Sequence, residues 1–558
     1  MADPLNPLIV QSDLTVLLEV ATPRASEARA ALARFAELEK SPEHIHTYRI
    51  TSLSLWNAAS AGMSPGDVAA TITGLAKYPV PGLVLSEIHD QMGRYGRLRI
   101  VRDFDTGALA LTSHEPALLE EVVRDRRVAE LVGERLDGNR FALRLGDRGA
   151  VKQALIHLGW PASDEAGYAE GDGLEVELTC TLRGYQADAV AAWWADGTAL
   201  GGSGVLVLPC GAGKTVVGIS ALSHVRAHSL IIVTSISAAR QWIAELRDKT
   251  DIDPDLIGEY SGECKEIRPI TVATYQILTW AGTGSVDESD LFRRHPHLGL
   301  FDQHQWGLVV YDEVHLLPAP VFRATARIQA IRRLGLTATL IREDGRQADV
   351  FSLIGPKRFD APWRELETQG WIAPATCTEV RVGMTPEDRM AYAVAGPAER
   401  YRIAATAPEK LVVADRLCRR HPNDQILVIG QYLDQLREAA RLLDAPIITG
   451  QTAQRTRDER FDAFRRGDLH ILVVSKVANF AIDLPEASVA VQLSGTFGSR
   501  QEEAQRLGRL LRPKADGRPA HFYTLVTGET VDQRFAANRQ RFLTEQGYGY
   551  SIVDADEL

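Results

Sequence analysis

Lys214 and Thr215 close the run Leu208-Pro209-Cys210-Gly211-Ala212-Gly213-Lys214-Thr215, which stands between an apolar segment, Gly204 to Leu208, and a helical pattern, Val216 to Val225. Residue types in this order suit phosphate. A glycine turn exposes backbone N–H groups and the following helix adds the positive end of its dipole, while the ammonium can reach β- and γ-phosphates and the hydroxyl can ligate Mg²⁺. The run therefore implies an ATP site with Mg²⁺, with Gly211, Gly213, Lys214 and Thr215 as its binding residues. Leu208 stands where the general pattern has its first glycine.

A second constellation follows the first. Trp306-Gly307-Leu308-Val309-Val310-Tyr311-Asp312-Glu313-Val314-His315 reads as a buried strand ending in two carboxylates. Asp312 is suited to hold Mg²⁺ through water, and Glu313 to orient and deprotonate an attacking water. Farther on, Gln505-Arg506-Leu507-Gly508-Arg509-Leu510-Leu511-Arg512 sets Arg509 and Arg512 on one helix face. Such a pair can meet the charge that develops on a γ-phosphate during transfer.

The elements that must carry these groups are those of a large α/β protein. From Leu182 to about Pro362, short apolar runs (Ser203 to Leu208, Ser229 to Thr234, Ile270 to Ala273, Gly307 to Tyr311, Arg333 to Leu336) alternate with helical segments. The alternation resumes at Gln425 to Gly430, Pro446 to Thr449, His470 to Val474, Val489 to Leu493 and His521 to Val526. This predicts two successive parallel-sheet domains, the first holding the phosphate loop and acids, the second the arginines. Before them, strand-like Leu8 to Val10 and Thr15 to Val20 and the capped helices Leu53 to Ala61 and Gly66 to Lys77 predict a small mixed α/β region. A helix from Pro116 to Val132, a strand from Arg140 to Leu145 and a helix from Gly149 to Leu158 come next, and the Asp/Glu/Gly-rich stretch Asp164 to Glu175 reads as a linker.

Composition narrows the class. At 558 residues the length suggests roughly three or four domains. No long uncharged apolar run or secretion signal stands in the sequence, so no membrane span and a cytoplasmic location are expected. The five cysteines lie far apart without a Cys-x-x-Cys, and they read as reduced, mostly buried thiols. A net charge of −11 excludes a basic coat for nucleic acid, so any contact with nucleic acid must be local.

The arrangement resembles the superfamily 2 helicases, with Asp312-Glu313-Val314-His315 as a DExH box. Leu182-Arg183-Gly184-Tyr185-Gln186, Thr337-Ala338-Thr339 and Ser475 to Pro485 are similar to the adenine-side glutamine, third and fifth motifs. Arg342-Glu343-Asp344 is similar to the RED element of the XPB group of DNA repair helicases; Gly498 to Ala504 and Arg539 to Tyr548 also resemble that group, and His44 to Ala59 resembles the domain that precedes its damage-binding module. Phe480-Ala481 departs from the Arg-Gly of many relatives, and the segment from Met384 to Lys410 is short for a thumb insertion.

This resemblance implies two RecA-like motor domains, 181–365 and 366–558, preceded by an XPB-like N-terminal domain, 1–105, and by a module, 106–180, that resembles the damage-recognition domain and includes the linker. It implies that Gln186 contacts adenine and Asp483 the ribose, and that Gln505, Arg509 and Arg512 complete the catalytic set of Lys214, Asp312 and Glu313. Thr215 and Asp312 become the metal-side residues. Arg240, Thr274, Thr337, Thr339, Ser475, Arg342, Glu343 and Asp344 would couple the site to DNA, single-stranded or at a duplex junction. The implied activity is ATP-dependent DNA translocation and unwinding, 3′ to 5′, in nucleotide excision repair, by a monomer that is nucleoid-associated in a prokaryote. A repair nuclease is left open as a partner. Two other readings stay open: an ATP-switched duplex-opening or scaffold factor, and another motor such as an RNA helicase. The sequence carries no motif for 2′-OH contacts and no nuclease motif that would make it a restriction motor.

Overall fold

The computed structural model of the protein describes residues 3–558 except 41–43, 104–106, 210, 283–290, 303, 330, 339–346, 362–365, 368–369, 371–374, 476–486, 496–518 and 546–548. Two compact units are formed, one of residues 1–39, 44–208 and 213–360, the other of 361–558 with the short runs 40–43 and 209–212.

In the first unit, β1 (Leu8–Val10), β2 (Thr15–Glu19), β3 (Glu37–Lys40) and β4 (Ile45–Arg49) form a sheet in the order β1-β2-β4-β3. Helices Ser52–Ser60, Pro65–Leu75 and Gly82–Arg94 follow, and Val16, Leu18, Leu55, Ile72 and Ile88 share one core with this sheet. Two of these helices start at reciprocal caps. The Thr51 hydroxyl accepts from Ser54 N at 3.1 Å and Ser64 Oγ from Asp67 N at 3.1 Å, while each N-cap amide donates back to the N3 side chain.

A second sheet, in the order β7-β8-β6-β5-β9, is built from β5 (Leu98–Arg102), β6 (Leu109–Ser113), β7 (Val132–Asp137), β8 (Arg140–Leu143) and β9 (Ser163–Asp164). The helix expected from Pro116 to Val132 is in fact three elements. It ends at Arg124, because Asp125 turns extended and its carboxylate caps the short helix Arg126–Ala129 by accepting from Arg127 N at 2.9 Å, and Val132 already begins β7.

The stretch expected as a linker is held along its length. Asp164 accepts from Arg148 Nη2 at 2.6 Å and from Lys152 Nζ at 3.0 Å. Asp172 N donates to Gln305 O and Leu174 N to Arg226 O, and Leu174 and Val176 are buried. Its acids and glycines therefore serve a buried ion pair and a backbone strap, which composition alone does not distinguish from a solvated tether.

The third sheet contains β10 (Ser203–Val207), β11 (Ser229–Val233), β12 (Ile257–Tyr260), β13 (Ile270–Thr274), β14 (Leu308–Asp312), β15 (Arg332–Thr337) and β16 (Lys357–Asp360). Every pairing in its order β12-β13-β11-β14-β15-β10-β16 is parallel. All residues of β10 and β11 are buried, as a sheet covered on both faces requires. The chain crosses from β10 over β15 and β14 to reach β11, so the carboxyl ends of β10, β15 and β14 lie side by side where the order reverses, the usual place for a ligand in open α/β sheets.

The second unit repeats this architecture. Its sheet joins β17 (Ala375–Val382), β18 (Ile426–Gly430), β19 (Ile447–Ile448), β20 (Ile471–Ser475), β21 (Val489–Gln492), β22 (Ala520–Thr527) and β23 (Gly549–Asp554), all parallel, in the order β19-β20-β18-β21-β22-β17-β23. The fold is α/β, with two parallel RecA-like sheets after a mixed α/β region. Of the described cysteines, Cys377 and Cys418 are buried and Cys180 and Cys264 half-buried. Among the described residues, no helix is long and apolar enough to cross a membrane.

Asp164 gives a direct test of the strap. Arg148 and Lys152 hold its carboxyl below the usual aspartate range even though burial pushes it up, and the Arg148 side chain has no exposure. Asp164→Ala leaves that guanidinium buried and uncompensated, so a loss of about 3–5 kcal/mol is expected in the denaturant unfolding of the first unit. Because the folded carboxyl is depressed, this contribution is complete above the free value of 3.8 and is lost only as the pH falls below it. An unchanged unfolding midpoint would show the strap to be energetically idle.

Candidate active site

The phosphate loop leaves the sheet at the end of β10. Leu208 is buried and its N–H donates to Thr337 O at 2.9 Å, so the residue in the first-glycine position still belongs to the core and is tied to β15. A side chain is accommodated there because the left-handed turns come later, at Gly211 (φ 81°) and Gly213 (φ 76°). At Gly213 a Cβ would also lie 2.6 Å from Gln186 Nε2. The helix Lys214–Val225 starts directly after Gly213, which offers no side-chain cap, and it puts Lys214 and Thr215 in its first turn, where backbone N–H groups favour an anion. Gln186 is buried at the start of the helix Gly184–Trp194 and accepts from Arg183 N at 3.0 Å.

Beside this loop, β14 ends at Asp312 and Glu313 follows it. Lys214 Nζ lies 3.5 Å from Glu313 Oε1, and both side chains are largely buried. Glu313 adopts a left-handed backbone (φ 51°, ψ 54°), a conformation that costs a non-glycine residue about 1–3 kcal/mol. Asp312 is held by two donors: Trp242 Nε1 reaches Oδ2 at 3.0 Å and Glu313 N reaches Oδ1 at 3.0 Å. The Asp312 carbonyl accepts from Tyr275 Oη at 3.0 Å. His315 Nδ1 bonds the Thr337 hydroxyl at 2.7 Å and lies 3.5 Å from Glu313 Oε2, linking the ends of β14 and β15.

The charges are unequal. Burial, and then the neighbouring Glu313, push the Asp312 carboxyl above the ordinary aspartate range. Burial also works against Glu313, but Lys214 and then His315 outweigh it and hold that carboxyl below its usual value. Two carboxylates thus face one ammonium, a donor set that a divalent cation would complement. Among the described residues no group of three His, Cys, Asp or Glu could hold a metal ion. Mg²⁺ held by one carboxylate, one hydroxyl and phosphate oxygens needs no such group, so Asp312 and Thr215 fit it.

The remaining predicted residues are distributed more widely. Arg240 is exposed on the helix Ile236–Lys249, with Nη2 at 2.6 Å from Glu263 Oε2 and Nε at 3.6 Å from Glu259 Oε2. Thr274 is buried and caps the helix Tyr275–Thr279, its hydroxyl accepting from Ile277 N at 3.4 Å. Thr337 is fully buried, and Ser475, at the end of β20, has a buried hydroxyl with no hydrogen-bond partner among the described residues. Thr339, Arg342, Glu343, Asp344, Asp483, Gln505, Arg509 and Arg512 lie outside the described residues. The structure thus brings Gln186, Gly213, Lys214, Asp312, Glu313 and Thr337 together at the carboxyl ends of β10, β15 and β14.

Sequence reasoning gave no role to Trp242, Tyr275 or His315. His315 stood in the quoted acid run, and its fixed place two residues after Glu313 was the available signal. Trp242 sits in an amphipathic helix and Tyr275 opens a five-residue one, and nothing in the sequence separates either from core residues.

Three family models match the chain: "ERCC3/RAD25/XPB C-terminal helicase" over residues 366–557, "Type III restriction enzyme, res subunit" over 179–342 and "Helicase conserved C-terminal domain" over 8–137. The protein named DNA 3'-5' helicase XPB of Mycobacterium tuberculosis is 56% identical over 556 residues, covering 99% of this chain and 98% of the relative. Its namesake in Kineococcus radiotolerans is 55% identical, with coverage of 99% and 97%. The general transcription and DNA repair factor IIH helicase/translocase subunit XPB of Enterocytozoon bieneusi is 31% identical, with coverage of 98% and 92%. With similarity of this extent falling on a chain that carries the phosphate loop, the paired acids and two parallel sheets, the protein belongs to the XPB family of superfamily 2 helicases.

Proposed function

We propose that the protein is an ATP-dependent DNA translocase and helicase that moves 3′ to 5′ and opens duplex DNA in nucleotide excision repair. The observation that carries the catalytic part is the contact of Lys214 with Glu313 at 3.5 Å beside Asp312. Bound Mg²⁺ supplies neutralisation of the phosphate oxygens. Asp312 and Thr215 hold it, Gln186 meets adenine, and the amides around Gly211 and Gly213 bind phosphate. Lys214 exchanges the Glu313 carboxylate for phosphate, which removes the charge that keeps Glu313 weakly basic, and Glu313 then takes a proton from the attacking water. Gln505, Arg509, Arg512 and Asp483 are the further residues that the family resemblance assigns to nucleotide chemistry.

The domain plan that goes with this reading is 1–105, 106–180, 181–365 and 366–558. Arg240, Thr274, Thr337, Thr339, Ser475 and the Arg342-Glu343-Asp344 element transmit the nucleotide state to DNA. The protein works as a monomer in the cytoplasm, on the nucleoid in a prokaryote. A local contact with DNA fits a chain of net charge −11, because the molecule as a whole is not basic and binding must rest on placed groups.

Glu313→Gln is expected to keep nucleotide affinity while turnover falls at least about a hundredfold, as when a positioned base is removed. Lys214→Ala is expected to lose turnover together with nucleotide affinity. Equilibrium binding of a fluorescent ATP analogue, run beside phosphate release, separates the two, and an equal loss of binding in both variants would reverse the assignment.

Strand separation tests the motor itself. Duplexes with 3′ or 5′ single-stranded tails should be opened from the 3′ tail in an ATP-dependent manner, and replacing Arg342, Glu343 and Asp344 together with Ala should reduce opening while DNA-independent hydrolysis persists. DNA-stimulated hydrolysis with no strand separation by the parent would favour the ATP-switched factor. Stimulation by RNA in preference to DNA would displace the DNA reading.

A further inference from the structure

Trp242 is buried in the first unit and touches both the acid at the end of β14 and the phosphate-loop helix. Its indole N–H donates to Asp312 Oδ2 at 3.0 Å. Its ring lies against the phosphate-loop helix so closely that a Cβ on Gly218 would fall 2.5 Å from Cη2 and 3.2 Å from Cζ3. Its own helix, Ile236–Lys249, carries Arg240 two residues earlier. Residues so spaced point to nearly opposite sides of a helix, which agrees with the exposure of Arg240 and the burial of Trp242.

The chemistry of that contact is specific. The terminal torsion of an aspartate is soft, so a carboxylate held at one oxygen can still swing. Here each oxygen has its own donor, Trp242 Nε1 on Oδ2 and Glu313 N on Oδ1. Every carboxylate oxygen offers two lone-pair sites, so both oxygens retain one for a cation or its water after the carboxylate plane has been set. Indole has one donor and no acceptor, hence it can orient the acid without competing for the cation. Phenylalanine would fill much of the same space beside Gly218 and do none of this.

We propose that Trp242 is a positioning residue for the nucleotide-bound cation: its N–H sets the plane of the Asp312 carboxylate, and through it the helix that presents Arg240 outward is connected to the metal side of the site. The inference rests on the ATP reading above and adds a residue that neither the loop nor the acids identify. Groups that orient a metal ligand commonly change metal affinity by about 10–100-fold when removed.

The experiment is an equilibrium titration of a fluorescent ATP analogue against the full-length parent and Trp242→Phe, first in EDTA and then with increasing Mg²⁺. Trp242→Phe should match the parent within about twofold in EDTA and need about 10–100-fold more Mg²⁺ for half of the Mg²⁺-dependent gain in affinity. Saturating duplex DNA should shift the Mg²⁺ midpoint of the parent and leave that of the variant in place. A variant midpoint equal to the parent's overturns the proposal, and so does a weakening of equal size with and without Mg²⁺, which would mark Trp242 as a packing residue. Should Trp242→Phe fail to fold by near-ultraviolet circular dichroism, 3-benzothienylalanine at position 242 keeps the ring shape, replaces N–H with sulfur and is read by the same two criteria. If the parent itself shows no Mg²⁺-dependent binding, the ATP reading fails; if the parent responds and the variants respond at the parent's midpoint, only the Trp242 inference fails.

Discussion

Asp312 ends β14 inside the protein and Glu313 follows it directly, with Lys214 as the ammonium that faces them. Adjacent buried carboxylates repel, and each has lost its water. A site of this kind is stable only if the surrounding elements are rigid enough to hold it and the missing positive charge can be supplied from outside. The parallel sheet meets the first condition. β11, β15 and β10 clamp the acid strand and its neighbours from both sides, and the short links Leu208 to Thr337 and His315 to Thr337 lock their ends together. The left-handed backbone at Glu313 is a cost that only such a frame can hold in place.

The region that precedes the motor sheet is joined to it by buried polar groups. Lys152 Nζ donates to Gln329 Oε1 at 3.1 Å as well as pairing with Asp164, and Gln153 Nε2 donates to Asp349 Oδ1 at 3.1 Å. Burial, reinforced by Arg333 and Arg148, lowers the Lys152 ammonium to about 8, with Asp164 opposing the shift. Trp56, Ile156 and Phe351 pack into a small cluster that draws on the first helices, the second module and the helix Gln347–Leu353. Ionic contacts of this sort require particular partners, whereas an apolar seam would tolerate sliding. The second module is therefore seated in one register on the motor sheet, with the cost of dehydrating its charges offset by several donors on one carboxylate.

The extent to which this was legible in the sequence follows the physics of each element. Strands β10, β11, β14, β18 and β21 announce themselves because a parallel strand covered on both faces must be an unbroken apolar run. β12, β16 and β23 stayed hidden: all three are edges of their sheets, β12 and β16 are only four residues long, and their polar residues resemble loops. β17 escaped as well, since Thr376, Thr378 and Arg381 interrupt its apolar positions. The phosphate loop and paired acids were readable because phosphate chemistry constrains neighbours in sequence. The contacts of Trp242 with Asp312 and of Asp164 with Arg148 join positions remote in the chain or concealed by composition, and only the folded register reveals them.

A comparable logic organises the second unit at the end of β21. Three consecutive residues there are each fixed by a buried polar side chain from a different element. The Leu493 carbonyl accepts from Lys410 Nζ at 3.1 Å, Ser494 Oγ donates to Gln435 Oε1 at 3.0 Å and accepts from Gln431 N at 2.9 Å, and the Gly495 carbonyl accepts from the Tyr401 hydroxyl. Lys410 is itself neutralised by Asp532 at 2.7 Å, with neither side chain exposed beyond 1%. Removing either member would leave a buried charge alone, so this cluster resists drift more than it adds stability. Both units thus spend buried charge at the carboxyl end of a parallel strand, where the chain leaves the sheet and its direction determines where the next residues can act. In the first unit that direction aims Glu313 at Lys214; in the second, the same kind of anchoring fixes the chain at Leu493, Ser494 and Gly495.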